Sequence, residues 1–403
     1  MERIAVIGVG PGAEDGLTLR ARAEMERAEC VFAARRHAHL APEGRLRPLE
    51  PLGEALTAIG REREAGRRVA VLVSGDTGVY SMLPLLERTF GAEAVRAVPG
   101  VSALQALCAA LGESWQEACV LSGHGRELPP QALCRAVRSH AGTLLFCDKR
   151  HDPAWICRTL LSGGLGGVEV AVGERLSYAD ERITRGSPEE LCGAEFDPMC
   201  MVRVRNPQPV SAREHIGLDD GAFERGATPM TKREIRTLAL AALRLEEDSV
   251  VWDVGAGTGS VSVECARACP WGTVWAIERD EDAVELIRAN VRRFALQNVE
   301  VVPGSAPGAL QGLPAPTHVF LGGCGGAAGE VIALIESLGR PVRLVANAVT
   351  LESAAELMER LKGWQGLEAS QVAVSRLDKV GRYRMFRAQN PVFVISADWE
   401  VKV

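Results

Sequence analysis

The sequence predicts an α/β protein made of two dissimilar halves, and three observations carry that reading. Short apolar runs alternate with helical stretches through residues 1–205, the pattern of a largely parallel sheet with helices packed on it. Residues 206–229 then bring three prolines, several acids and no sustained periodicity, which marks a connection between domains. From 230 to 403 the alternation resumes with seven strand-like runs, the first of which ends in a glycine-rich turn.

In the first half, ERIAVIGVGPGAEDGLTLRARAEME reads as a strand, a glycine-proline loop and a helix. Further strands are expected at Val69–Val73, Ala118–Leu121, Thr143–Cys147, Val168–Val172 and Met199–Val204. In the second half, Thr231-Lys-Arg-Glu234 has the spacing of a capping box, and Ile235, Leu238, Leu243 and Leu245 continue the helix it would start. Strands are expected at 249–254, 273–278, 299–302, 317–321, 342–346, 368–374 and 391–396, the last two antiparallel. Helices are expected at 260–268, 281–296, 327–338 and 351–362.

Composition narrows the function classes. Length suggests about two to three domains, and 47% apolar with 24% charged residues is ordinary for a globular chain. A net charge of −6 and a pI near 5.8 offer no long-range attraction to phosphate backbones, so no nucleic-acid partner is expected. The eleven cysteines include no Cys-x-x-Cys pair, and Cys265 and Cys269 lack a second ligand pair. His37-x-His39 reads as a helix end rather than a metal site, so no metal is expected. The odd cysteine count and the absence of a signal peptide favour reduced thiols in the cytoplasm. No run approaches the ~18 apolar residues of a membrane span.

The glycine turn VVWDVGAGTGSVSVE, residues 250–264, narrows the ligand. A P-loop would require Gly, four residues, then Gly-Lys-Ser/Thr, and the turn has no lysine. A dinucleotide fingerprint would put its third glycine at position 260, where Ser260 stands. What remains, Asp253-x-Gly255-x-Gly257-x-Gly259, resembles the turn of S-adenosylmethionine (SAM) methyltransferases. Gly255, Ala256, Gly257, Thr258 and Gly259 would bring backbone against the amino-acid tail and ribose. Asp253 would fix the turn or meet the ammonium. Glu278, ending TVWAIE, would accept the ribose hydroxyls; Asp280 would cap the next helix, and Ser305 and Ala306 would border the adenine.

The first half also carries a glycine loop, Gly8-x-Gly10-Pro-Gly12-Ala13, with Arg35 placed where an NADP enzyme would meet a 2′-phosphate. Pro11 inside the turn and Glu14-Asp15-Gly16 ahead of the helix weigh against a pyrophosphate there.

Longer motifs carry a narrower resemblance. TPMTKREIRTLAL, VWDVGAGTGSVSVE, VWAIERD, VVPGSAP, VFLGGCGG and VANAVTLES are similar, in order, to the decarboxylating precorrin methyltransferases of cobalamin biosynthesis, over roughly residues 215–390. That resemblance implies a seven-stranded Rossmann-like (class I) SAM methyltransferase fold for 230–403. It implies SAM contacts at Thr231, Gly255 to Gly259, Glu278 and Ala306, with Gly322, Gly323 and Gly325 bordering a tetrapyrrole. VSGDTGVYSM, VPGVSALQALCAALG, LSGHGRE and FCDKRHDPAWI resemble the tetrapyrrole methylase family, CbiE-type branch, over about residues 3–205. This second resemblance implies a two-lobed (class III) fold and a second SAM site at Pro11, Gly75, Asp76, Val79, Ser102 and Ala103, near Phe146 and Cys147. Two departures stand out: Thr77 replaces the proline of the commoner Gly-Asp-Pro, and Ala34 and Arg35 stand where some relatives have an acid.

The resemblance implies methyl transfer to meso carbons and loss of carbon dioxide from an acetate arm, chemistry that needs alignment more than acid–base power. No Gly-x-Ser-x-Gly elbow is present. His124 is the candidate proton carrier, with Arg126 beside it. A substrate rimmed with carboxylates calls for arginines, and the candidates are Arg233, Arg236, Arg126 and the GRYRMFR group Arg382, Arg384 and Arg387. Glu264 is expected to be structural. Homo-oligomeric assembly is expected from related single domains. The competing readings are an RNA methyltransferase, an NADP-binding oxidoreductase domain fused to a methylase, and a first half that only binds and channels the tetrapyrrole.

Overall fold

A computed structural model describes residues 2–210, 216–323 and 326–400. The chain forms two compact units, one essentially of residues up to Val210 and the other of the residues beyond it.

The first unit has two lobes. Strands β1 (Ile4–Gly8), β2 (Cys30–Ala33), β3 (Leu46–Pro48), β4 (Val69–Val73) and β5 (Val95–Val98) form a wholly parallel sheet in the order β3-β2-β4-β1-β5. Every residue of β1 and β4 is buried, because helices cover both faces. Ile4 and Val6 pack on one face with Ile59 and Leu86, while Ala5 and Ile7 pack on the other with Ala21 and Met25. After β1 the chain makes one turn of 3₁₀ helix at Glu14–Gly16, and the helix Leu19–Arg27 starts only at the Thr18 cap. That delay removes the helix N-terminus a dinucleotide would use.

The second lobe corrects the expectation of a largely parallel sheet. Strands β6 (Cys119–Ser122), β7 (Gly142–Phe146), β8 (Glu169–Glu174), β9 (Arg182–Gly186) and β10 (Cys200–Arg205) lie in the order β6-β7-β10-β8-β9. Only β6 and β7 are parallel; β10 inserts antiparallel between β7 and β8, and β9 returns antiparallel on β8. Apolar runs such as Val170–Val172 report burial, not direction, so the sequence pattern is the same either way.

The second unit carries strands β11 (Val250–Val254), β12 (Thr273–Glu278), β13 (Val299–Pro303), β14 (His318–Leu321), β15 (Val342–Ala348), β16 (Gln365–Val372), β17 (Ser375–Val380), β18 (Tyr383–Ala388) and β19 (Val392–Trp399). Seven of them make one sheet, β13-β12-β11-β14-β15-β19-β16, with β19 antiparallel to both neighbours. Strands β17 and β18 form a separate hairpin that the expected pattern lacks. Helices Ser260–Ala268, Glu281–Arg293, Ala328–Ser337 and Leu351–Leu361 fall where expected, except that the second stops before Ala295, which turns left-handed (φ 49°). The stretch read as a connection is partly anchored here. Phe223 is buried, and the Gly217 and Leu218 amides donate to Glu264.

The capping box is not formed. Lys232, not Thr231, caps the helix Arg233–Leu243, and its side chain makes no cap bond. Asp220 accepts the Arg233 amide at 2.9 Å instead, and Glu234 is drawn into an ion pair with Arg376. Leu238 faces outward at 45% exposure. Among the described residues, no helix is long and apolar enough to cross a membrane.

Candidate active sites

In the first unit the C-terminal ends of three parallel strands meet backbone to backbone. A Cβ on Gly100 would lie 2.4 Å from the Gly75 carbonyl oxygen and 2.6 Å from Gly8, so only glycine permits the approach. Gly10 and Gly75 exchange main-chain hydrogen bonds of 3.2 and 2.7 Å, which fix Pro11 beside the Ser-Gly-Asp turn. The result is a cavity of about 550 Å³ lined by Pro11, Gly75, Val79, Ser102, Ala103 and Phe146, together with Cys147 and His124. Ser102 also caps the helix Ala103–Leu111 through a complete capping box with Gln105.

Asp76 lies outside that lining. Its Oδ1 accepts the Gly78 amide at 2.8 Å and its Oδ2 the Gly100 amide at 3.0 Å. It therefore clamps the turn with both oxygens, and Thr77 sits buried within that turn. His124 Nδ1 lies 3.2 Å from the Cys147 carbonyl, which only accepts; Nδ1 is therefore the donor, and Nε2 of the neutral ring is left as an acceptor. Arg126 stacks over Tyr80, 5.1 Å from the ring centroid, and Tyr80 lines the cavity and packs edge-on to Phe146.

The second unit's cavity, about 1490 Å³, opens where β11, β12, β14 and β15 end. Gly255 has φ 73°, and a Cβ there would come within 2.3 Å of the Gly323 carbonyl oxygen. Glu278 ends β12 and gathers three amides: Gly257 at 2.9 Å, Arg279 at 2.8 Å and Asp280 at 3.1 Å. Asp280 caps the next helix, as expected. Gly255, Ala256, Gly257, Glu278, Thr231, Gly322 and Gly323 all line the cavity. Gly325 lies outside the described residues.

Five further expected contacts lie outside the cavity lining. Asp253 is fully buried, and Ser262 Oγ donates to its Oδ2, while its Oδ1 has no partner. Burial, with the nearby Glu278 charge, raises its pKa to about 7. Thr258 is buried, and Gly259 (φ 74°) starts the helix Ser260–Ala268. Ser305 and Ala306 do not line the cavity; they follow Gly304, whose amide donates to the Glu278 carbonyl at 2.8 Å.

Comparison with known proteins agrees with this division. Residues 3–192 match the model of the tetrapyrrole (corrin/porphyrin) methylases, and residues 221–399 match that of the precorrin methyltransferase domain. A precorrin-6Y C(5,15)-methyltransferase (decarboxylating) from a Sinorhizobium species is 32% identical over 88% of this chain and 87% of its own. One from Mycobacterium tuberculosis is 30% identical over 88% and 89%. This chain belongs to the decarboxylating precorrin-6Y C(5,15)-methyltransferase family. A probable cobalt-precorrin-6B C(15)-methyltransferase from Pyrobaculum calidifontis is 42% identical, covering 45% of this chain and 95% of its own.

Within this family of methyltransferases, the arginines expected to grip substrate need correction. Arg236 is fully buried, bound to Glu264 at 2.5 Å and Asp220 at 3.3 Å, and it stacks on Phe223. Arg233 is engaged with Asp219 and Glu234. Glu264 is the buried counter-charge of Arg236, and neither arginine lines the cavity. Arg382 stacks on Tyr383 and Arg387 faces Asp378 on the exposed β17–β18 hairpin, and neither lines the cavity. The basic residue from this stretch that lines the cavity is Lys232, one position before Arg233. Asn347 lines it too, and its Oδ1 is buried without a partner. Lys232 lies within TPMTKREIRTLAL and Asn347 within VANAVTLES, but helix periodicity alone does not say which basic residue at a helix start faces a cavity.

Proposed function

We propose that this chain uses two SAM sites to methylate meso carbons 5 and 15 of a precorrin and to remove the carboxyl of its ring C acetate. In this reading residues 1–205 serve carbon 5, residues 230–403 serve carbon 15 and the decarboxylation, and 206–229 join them. The observation that carries it is the pair of cavities, one in each unit: Pro11, Gly75, Val79, Ser102 and Ala103 line the first, and Thr231, Gly255, Ala256, Gly257 and Glu278 the second.

Bound SAM supplies an electrophilic methyl on a sulfonium centre. The residues of the second cavity fit it, since Gly255 and Gly323 pack backbone to backbone and present main chain to the cavity, with the Glu278 carboxylate in the same lining. The Gly255–Gly257 backbone orients the amino-acid tail, and Glu278 accepts the ribose hydroxyls. Lys232 takes a substrate carboxylate, and the unpartnered Asn347 Oδ1 accepts from the ligand. In the first cavity Gly75, Ser102 and Ala103 present main chain to the donor. His124 Nε2 takes the proton that leaves the methylated meso carbon. The described cysteines are all free thiols, which supports a cytoplasmic enzyme. Exposed Tyr383, Met385 and Phe386 on the hairpin support assembly of several copies.

The test is the mass of the tetrapyrrole released after incubation of the purified chain with SAM and precorrin-6Y. A gain of two methyl groups with loss of one carbon dioxide is expected. A product with one methyl, or with its acetate carboxyl intact, would contradict the proposal.

A further inference from the structure

The first unit's cavity holds an arginine, Arg36, that makes no ion pair among the described residues. Arg36, just past the end of β2, lines the cavity with His37 and Ser74. Its Nε donates to His37 Nε2 at 3.1 Å and its Nη2 donates to Ser74 Oγ, while Ser74 Oγ lies 2.7 Å from His37 Nε2. The three side chains thus close a small ring. His37 is 1% exposed, and burial together with the Arg36 charge lowers its pKa to about 4, so the imidazole stays neutral. Both partners of the guanidinium are therefore uncharged acceptors that orient it and leave its charge in place.

A guanidinium carries five N–H donors in a fixed fork, and these two bonds leave most of its Nη1/Nη2 edge open. Glu50 is the acidic residue in the lining, and no ion pair joins it to Arg36 among the described residues. Much of the remaining lining is apolar, including Leu72, Val79, Met82 and Met199. Arg36 is itself exposed, so its oriented guanidinium is open to an anion of planar, two-oxygen geometry.

We infer that Arg36, held in place by Ser74 and His37, is a carboxylate-binding subsite of the first cavity. The inference rests on the functional reading above, which supplies two sources of carboxylate: an acid arm of the tetrapyrrole and the amino-acid tail of SAM. It also gives a role to the end of β2, where the sequence offers Ala34 and Arg35 in place of an acid. Arg35 does not line the cavity; Arg36 does.

Arg36→Gln and Arg36→Lys distinguish the sources in the full-length protein. S-adenosylhomocysteine affinity is measured by calorimetry, and carbon 5 methylation of precorrin-6Y by its kcat and KM. If the arm is the ligand, Arg36→Gln raises KM about tenfold to a hundredfold, leaves S-adenosylhomocysteine binding unchanged, and is partly rescued by Arg36→Lys. If the tail is the ligand, affinity of the first site for S-adenosylhomocysteine falls by a similar factor. Ser74→Ala, which removes one orienting bond and keeps the charge, produces a smaller loss in the same quantity. Arg36 variants that keep both KM and S-adenosylhomocysteine affinity within about twofold of the parent overturn the subsite. A parent chain that adds no methyl to carbon 5 overturns the functional reading instead.

Discussion

The two cavities are built in opposite ways for what we propose to be the same donor. The second is local: residues 253–259 form strand end, turn and helix start, and Glu278 on the neighbouring strand ties that turn down through the Gly257 amide. The first is assembled from loops at Pro11, Gly75, Ser102 and Phe146, drawn together where glycine backbones touch. Charge is handled differently as well. The second cavity keeps its carboxylate, Glu278, in the lining; in the first, Asp76 is spent on two backbone amides and the oriented charge is Arg36. On that proposal, the same electrophile is held by a carboxylate-braced turn in one unit and by main chain in the other.

The comparison breaks most readily in the second unit's support. Arg236→Ala should leave Glu264 buried without its counter-charge and lower that unit's stability by about 3–5 kcal/mol in chemical denaturation. A loss confined to substrate KM would return Arg236 to the binding role expected from sequence. Next comes pH. Burial raises the pKa of folded Asp253 to about 7, from 3.8 for an Asp free in water. The folded state therefore binds the extra proton between those values, and stability should fall by up to a few kcal/mol as pH rises through that window, then level off. Asp253→Asn should remove this component of the slope; an unchanged slope would show that Asp253 is ionised throughout.

Glu278→Gln should weaken S-adenosylhomocysteine binding about tenfold to a hundredfold at the second site alone. An equal loss at both sites would mean that the cavities are not independent. The smallest effect belongs to Asp76→Ala, expected to weaken first-site binding only a few-fold through a loosened turn, with Asp76→Asn restoring part of it by keeping one acceptor. A loss as large as that of Glu278→Gln would place Asp76 against the ligand.

The same contrast explains what could be read from the sequence. The second half was legible because its pocket is nearly contiguous: the Asp-x-Gly-x-Gly-x-Gly spacing and the distance to Glu278 are local facts, and the sheet came out with the seven expected strands. Asp253 and Ala306 do not line the cavity, and a motif does not say whether a side chain faces the cavity or the core. The first half's lining was reachable only through resemblance, because no spacing links Pro11 to Ser102. Short strands such as β2, β3 and β9 gave too few residues for a period, and the antiparallel insertion of β10 leaves no mark in an apolar run. Arg236 misled because an arginine beside a helix start looks alike whether its counter-charge is a substrate or Glu264, 28 positions later.

Titration of the intact chain with S-adenosylhomocysteine, followed by calorimetry, tests the central claim most directly. The account predicts two equivalents bound, falling to one when Gly255→Ala drives a Cβ into Gly323. One equivalent in the parent, or the loss of both through that single substitution, would contradict it.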